Sequence, residues 1–316
     1  MLAVAVVEEA IDLREAGITA PILILGKTWD CHLSALFKYD LHPVAASLDD
    51  IEQLGKAAKK QKTHLPVHLK IDTGMGRLGF LYNDYKKGLT GIAKHPWLNL
   101  AGIMSHLATA DEPEGPHVQI QMERFQRIYQ DIRAAFPSDP PLFHLGNSAG
   151  SLYLSGIGYD RVRLGLSMYG MPPSTSYDTP FPLQQIMRVN SRVAYVKKFP
   201  AGYPIGYGSS YHTTTDSTIL VCSGGYEDGI PRRYGNAGEV LIHGKRFPIV
   251  GNVSMDTFMV DVTSEPVEIG EEVVLLGDQG ADSIPITEMA QKLGVIPYEI
   301  TCGISNRVGR EFVDQD

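Results

Sequence analysis

Two rhythms of apolar residues divide the chain. Up to about residue 170, short aliphatic runs recur: LAVAV (2–6), PILILG (21–26), HPVAAS (42–47), VHLKID (67–72), LAGIMSH (100–106), FHLGNS (143–148) and RVRLGLSMYG (161–170). Near-continuous apolar runs of this length suit strands covered on both faces. Helical spacing fills most of the gaps. Val7, Ala10 and Ile11 lead to a stop at Gly17, while Ser47 and Asp50 make a capping-box-like start before Ile51, Leu54 and Ala58. Val118, Met122, Phe125, Tyr129, Ile132 and Phe136 then step by three or four towards Pro137. Strand alternating with helix predicts parallel βαβ units.

The seven runs suit an open doubly wound sheet or a barrel short of one strand. The chain starts inside a strand at LAVAV. A closed barrel cannot lose an element without exposing two hydrogen-bonding edges. Residues 171–182, MPPSTSYDTPFP, place Pro172, Pro173, Pro180 and Pro182 close together, which predicts a linker. Beyond it the runs RVAYVKKF, STILVCSG, TFMVDV and EEVVLLG read as strands, and VLI-HGK-RFPIV reads as a hairpin with its glycine in the turn. One amphipathic helix is expected near Ile286 to Leu293. The predicted division is an α/β domain at 1–182 and a mainly antiparallel β domain at 183–316.

Charge narrows the choice of partners. With a net charge of −8, a broad electrostatic grip on nucleic acid or an anionic membrane is not expected. Cys31, Cys222 and Cys302 form neither a CxxC pair nor a zinc spacing, so a reducing cytoplasm is the expected location and no metal site is expected. No apolar run approaches the ~18 residues of a membrane span, and the amino terminus lacks the basic start of a signal peptide.

Three groups of residues carry candidate chemistry. Gly74, Gly76 and Gly79 in HLKIDTGMGRLGF satisfy G-x-G-x-x-G after a strand, a fingerprint of dinucleotide-binding loops. The acidic residue expected some twenty positions later is absent. A tight βα turn, or a loop presenting Arg77 to a substrate carboxylate, are the competing readings. The strand ends supply His106, Asn147, Ser148, Arg163 and Gly165, at the mouth where a barrel would keep its site. Taken singly, Ser148 reads equally as a turn cap, His106 as a core histidine and Arg163 as a salt-bridge partner. In the β domain Tyr207 lies between two glycines, near GGYEDGIPRR (224–233) and GNVSMDTFMVD (251–261). A tyrosine base would need its pKa lowered by nearby cations, and a half-buried loop tyrosine is the alternative.

HLKIDTGMGRLGF, GIMSHLATAD, HLGNSAGSL, RVRLGLSMYG, PIGYGSSY, GYEDGIPRR, PIVGNVSMD and IPYEI occur together in an order that resembles the alanine racemases, from residue 1 to about residue 312. The resemblance implies a (β/α)8 TIM-type barrel without its first βα unit, followed by the β domain, in a cytoplasmic homodimer. The implied cofactor is pyridoxal 5′-phosphate, and the implied reaction interconverts L- and D-alanine for cell-wall synthesis. Tyr207 matches the base acting on L-alanine. Arg77 matches a contact to that tyrosine or to the cofactor's phenolic oxygen, and Lys70 matches a lysine often carbamylated to steady this arginine. Arg163 matches the arginine facing the pyridine nitrogen. Ser148, Gly165, Leu166 and Tyr298 match phosphate contacts, with His106 and Asn147 lining the pocket. Met255 matches a backbone contact to the substrate carboxylate, and Tyr226 matches a tyrosine of the access corridor. Tyr207 and Met255 would reach the other subunit's cofactor.

One element of the family pattern has no match. The family's cofactor lysine, on the first barrel strand, forms the internal Schiff base and serves as the base for the D-isomer. No corresponding segment occurs among the 316 residues. The expectation is an amino-terminally shortened racemase polypeptide, inactive or impaired in this form. The alternatives are a non-catalytic cofactor-binding relic or partner subunit, another racemase or decarboxylase on the same scaffold, and a nicotinamide dehydrogenase built on the glycine fingerprint.

Overall fold

A computed structural model describes residues 1–174 and 176–313. Residue 175 of the expected linker and residues 314–316 lie outside the described residues. The contacts divide the chain into two compact units, Met1–Gly165 and Leu166–Asp316.

The first unit alternates strand and helix: β1 (Leu2–Val4), α1 (Val7–Glu15), β2 (Ile22–Ile24), α2 (Leu33–Lys38), β3 (Leu41–Ala45), α3 (Leu48–Gln61) and β4 (Leu65–Asp72). It continues with β5 (Phe80–Leu81), α4 (Tyr85–Ala93), β6 (Leu98–Met104), α5 (Pro116–Ala135), β7 (Leu142–His144) and α6 (Ser148–Tyr153). The strands pair in parallel in the order β1-β2-β3-β4-β6-β7, with β5 added beside β4. Helix boundaries follow local chemistry. Glu9 accepts from the amides of Ala5 and Val6 ahead of α1, and Gly17 after it takes φ +87°. Ser47 caps α3 by accepting from the Asp50 amide, and Ile51, Leu54 and Ala58 are buried as their spacing predicts.

Two expectations are revised. The run 161–170 is not a strand: Arg161 makes an isolated bridge to His144, and residues 166–169 then coil into a 3-10 turn ending at Gly170, φ +70°. The Arg163 amide donates to the Gly146 carbonyl at 2.8 Å, which turns the backbone off the sheet. On α5 the fully buried stripe is Val118, Gln121, Phe125, Ile128 and Ile132, with Met122 and Tyr129 packed half-buried beside it, so a polar residue joins the core face. The helix ends before Phe136, whose following proline disfavours helical geometry.

The second unit contains β8 (Val189–Phe199), β9 (Pro204–Ile205), β10 (Tyr211–His212), β11 (Ser217–Ser223), β12 (Glu239–Ile242), β13 (Lys245–Val250), β14 (Thr257–Asp261), β15 (Glu272–Gln279), β16 (Asp282–Ile284), α7 (Ile286–Leu293) and α8 (Pro297–Gly303). Its main sheet runs β12-β13-β14-β11-β8-β15-β16, and a β12–β15 pairing through Leu241 and Val274 closes six of these strands into a ring. The β12–β13 hairpin turns on His243 (φ +53°) and Gly244 (φ +71°), as a two-residue type I′ loop requires.

In the first unit, Phe143 is fully buried and packs edge-on against Phe125 and Tyr129. Phe143→Ala removes one ring from this trio, and the expected loss is about 3–5 kcal/mol of stability, read from the urea midpoint.

Candidate functional site

In the first unit the candidate residues gather at the carboxyl ends of β4, β6 and β7. Arg163 is half-buried, and its two Nη atoms are fully engaged. Nη1 donates to His144 Nδ1 and to the His144 carbonyl, each at 2.9 Å. Nη2 donates to the carbonyls of Ser105 and Leu145 and, at 3.3 Å, to His106 Nδ1. A guanidinium can only donate, so Nδ1 of both imidazoles carries a lone pair. Among the described residues no protein acceptor meets Arg163 Nε. Desolvation lowers the Arg163 pKa to about 10, which leaves it cationic at neutral pH.

Burial and, after it, that charge set the protonation of its neighbours. Burial, then the charges of Arg163 and Arg77, bring Lys70 down to about 7, against the opposing pull of Asp72. Burial followed by Arg163 takes His106 to about 3 and His144 to about 2, so both rings are neutral.

The glycine loop is organised around Asp72. Its carboxylate accepts from the amides of Gly74 (2.8 Å), Met75 (2.7 Å) and Arg77 (3.0 Å). Burial alone would raise the Asp72 pKa, but these amides and that of Gly76 outweigh it and hold the group below the ordinary range. Gly74, Gly76 and Gly79 all take positive φ, which is what winding the chain around one carboxylate requires. Amides already committed to Asp72 are not available to a pyrophosphate, which removes the physical basis of the dinucleotide reading. The exposed Arg77 rides on this turn.

Ser148 and Gly165 adjoin, the Gly165 amide donating to Ser148 Oγ at 2.9 Å. A Cβ on Gly165 would meet nothing nearer than that hydroxyl at 3.9 Å, so one face of the backbone is open to a ligand. Asn147 caps α6 through Gly150 and reaches the Leu107 carbonyl. An uncommitted guanidinium N–H and an uncovered glycine backbone suit an anionic ester on an aromatic nitrogen base.

In the second unit Tyr207 is 71% exposed, on a 3-10 turn between Gly206 (φ +71°) and Gly208 (φ +74°), with its carbonyl held by Asn252. Tyr226 and Met255 lie on adjoining loops joined by the Tyr226 amide to Ser254 and the Glu227 amide to Met255. A Cβ on Gly225 would come 2.2 Å from the Met255 carbonyl, so only glycine lets the loops approach. Leu166 is buried in this unit's core, and Tyr298 sits partly exposed on α8. Among the described residues there is no cluster suited to a metal ion, and no helix is long and apolar enough to cross a membrane.

Residues 1–173 match the alanine racemase N-terminal domain family, and residues 186–312 match the C-terminal domain family. The chain belongs to the alanine racemase family. It is 38% identical to an alanine racemase of Halothermothrix orenii over 312 residues, covering 98% of this chain and 82% of that one. The alanine racemase of Bacillus anthracis with bound L-Ala-P superposes with a TM-score of 0.89 at 37% identity, covering 97% of this chain and 79% of that one. A histidine racemase of Leuconostoc mesenteroides also gives 0.89, at 28% identity, covering 99% and 83%. The fold is that of the alanine racemases, a curled parallel sheet with helices and an antiparallel unit, and the chain is a pyridoxal 5′-phosphate-dependent amino-acid racemase.

Sequence reasoning passed over His144, His68 and Gln121. Gln121, fully buried on α5, accepts from the Ala108 amide and donates to Thr73 Oγ1 and the His106 carbonyl, tying the β4 loop to the β6 loop. The two-residue period of β4, which places His68, Lys70 and Asp72 on one face, was the available signal for His68.

Lys70 carries a pH dependence. Above its folded pKa of about 7 and below the ordinary 10.5, the unfolded chain binds a proton that the folded chain does not. Folded stability therefore rises across that window, by up to about 5 kcal/mol at about 1.4 kcal/mol per unit. Lys70→Met is expected to flatten the rise, measured from urea midpoints in carbon-dioxide-free buffer.

Proposed function

We propose that this polypeptide is an alanine racemase whose first 182 residues hold the cofactor and whose residues 183–316 supply the tyrosine base, in a cytoplasmic homodimer with shared sites. The observation that carries this reading is the arrangement around Arg163. Four of its five N–H groups are spent on protein acceptors, leaving Nε for a ring nitrogen. A cation donating to that nitrogen keeps it unprotonated.

When bound, the cofactor supplies an electron sink for the pair left behind as the α-proton departs. The chain's own residues do the remainder. Ser148, Gly165, Leu166 and Tyr298 hold the phosphate, while His106 and Asn147 line the pocket. Arg77 steadies the substrate side and Met255 offers its backbone to the carboxylate. Tyr207 exchanges the α-proton at its phenolic oxygen, and Tyr226 narrows the approach. Lys70, about half neutral near pH 7, supplies the form of amine that adds carbon dioxide: a nitrogen–carbon bond forms, one proton leaves, and the resulting anion feels the charges of Arg163 and Arg77. A carbamate signal from 13C-bicarbonate, absent in Lys70→Met, is the expected outcome.

Cofactor binding tests the core of the proposal. The 316 residues are expected to bind pyridoxal 5′-phosphate, with Ser148→Ala weakening it about ten-fold, the loss of one charge-assisted hydrogen bond. No binding would overturn it. Since no residue matches the family's cofactor lysine, these residues alone are expected not to racemise alanine, and robust turnover would refute that part. A pyridoxyl–lysine adduct after borohydride reduction would distinguish retained chemistry from a binding relic. The likeness to a histidine racemase favours a second reading, a different amino-acid substrate, which proton exchange at the α-carbon across several amino acids resolves.

A further inference from the structure

His68 lies two positions before Lys70 on β4 and is 1% exposed. Its register partner on β6 is Gly102. A Cβ at Gly102 would fall 2.2 Å from His68 Nδ1, although Gly102 has no positive φ to demand a glycine. The glycine is there to admit the imidazole.

That ring meets His144. His68 Nδ1 lies 2.9 Å from His144 Nε2, the rings edge-on at 74° with centroids 5.1 Å apart. On its other side His144 Nδ1 accepts from Arg163 Nη1. The direction of every bond in this line follows from the guanidinium, which has no acceptor. Nδ1 of His144 must carry a lone pair, so a neutral His144 keeps its proton on Nε2 and donates it to His68 Nδ1. His68 in turn keeps its own proton on Nε2. In the opposite tautomer of His144, donor would face donor at the Arg163 end, and at the other end lone pair would face lone pair with His68 protonated on Nε2.

We propose that His68 is a positioning residue: its Nδ1 accepts the Nε2 proton that the guanidinium imposes on His144, and so keeps that imidazole seated against Arg163. Burial supports the neutral state, with His68 brought to about 3 by desolvation and then by the charges of His42 and Arg163. The consequence for the cofactor rests on the role proposed above for Arg163, whereas the tautomer itself does not.

Nitrogen-15 spectra of the histidine rings in the 316-residue chain test it. Near neutral pH, His144 and His68 are both expected to carry a proton on Nε2 and none on Nδ1. His68→Asn places an amide oxygen where Nδ1 was and is expected to preserve the His144 pattern. His68→Phe fills the same notch without an acceptor, leaves the His144 Nε2–H unpaired, and is expected to let the ring turn away from Arg163 into a mixture of tautomers. Pyridoxal 5′-phosphate affinity should fall about ten-fold in His68→Phe and change little in His68→Asn, the difference of one buried hydrogen bond. Should the Phe variant not fold, His68→Gln, whose amide reaches the Nε2 position instead, is expected to lose the pattern as well. A His144 proton on Nδ1 in the unaltered chain, or a His144 spectrum indifferent to removal of the acceptor, overturns the proposal. Failure of the unaltered chain to bind the cofactor would sink the proposed function and leave the tautomer result standing.

Discussion

A guanidinium partly withdrawn from water, without a carboxylate partner, is the constraint around which the first unit is organised. Taking a cation out of water is costly unless its hydrogen bonds are replaced. Here the replacements are three strand-end carbonyls and two imidazole nitrogens. Parallel strands that finish at the same level expose their last carbonyls together, so the end of this sheet is a natural seat for a cation. The charge then adds to burial nearby: desolvation first and this charge second keep His106 and His144 neutral and push Lys70 down. One positive charge thereby leaves lone pairs, neutral amines and oriented N–H groups around it, the materials from which a site for an anionic aromatic ligand is assembled.

The loops above the sheet are stiffened by polar groups rather than apolar packing. Asp72 gathers three amides of its own loop, and Gln121 reaches from α5 to join that loop to the one carrying His106. Leaving any of these groups unpaired would cost more than the bond itself contributes, which makes the loop geometry sharply defined. The second unit works differently. A closed ring of strands needs no edge protection, and its loops present Tyr207, Tyr226 and Met255 largely to solvent. Exposed aromatic and thioether groups on tightly tied loops suit contact with something outside the unit.

Much of this was legible in the sequence, for identifiable reasons. The core runs and the α3 and α7 faces follow hydrophobic period, and Gly17 and the His243–Gly244 hairpin turn follow backbone sterics. The 161–170 run misled because its alternation of arginine, valine and leucine satisfies a strand pattern, while the Arg163 side chain and amide both turn back to the β7 end. Gln121 escaped notice because a polar residue on a helix is ordinarily solvated. Its burial depends on acceptors and donors that lie 13 to 48 positions away.

The sequence by itself determined most of the order of elements, the family and the types of residue available for chemistry, since each of these depends on local period, turn sterics or motif. Only the tertiary structure decided their chemical states. That Asp72 occupies the glycine loop, that Lys70 is near neutrality and that Arg163 keeps one N–H uncommitted are outcomes of distance and desolvation between segments far apart in the chain. Proton affinity and hydrogen-bond direction are properties of an environment, and that environment exists only once β4, β6 and β7 lie side by side.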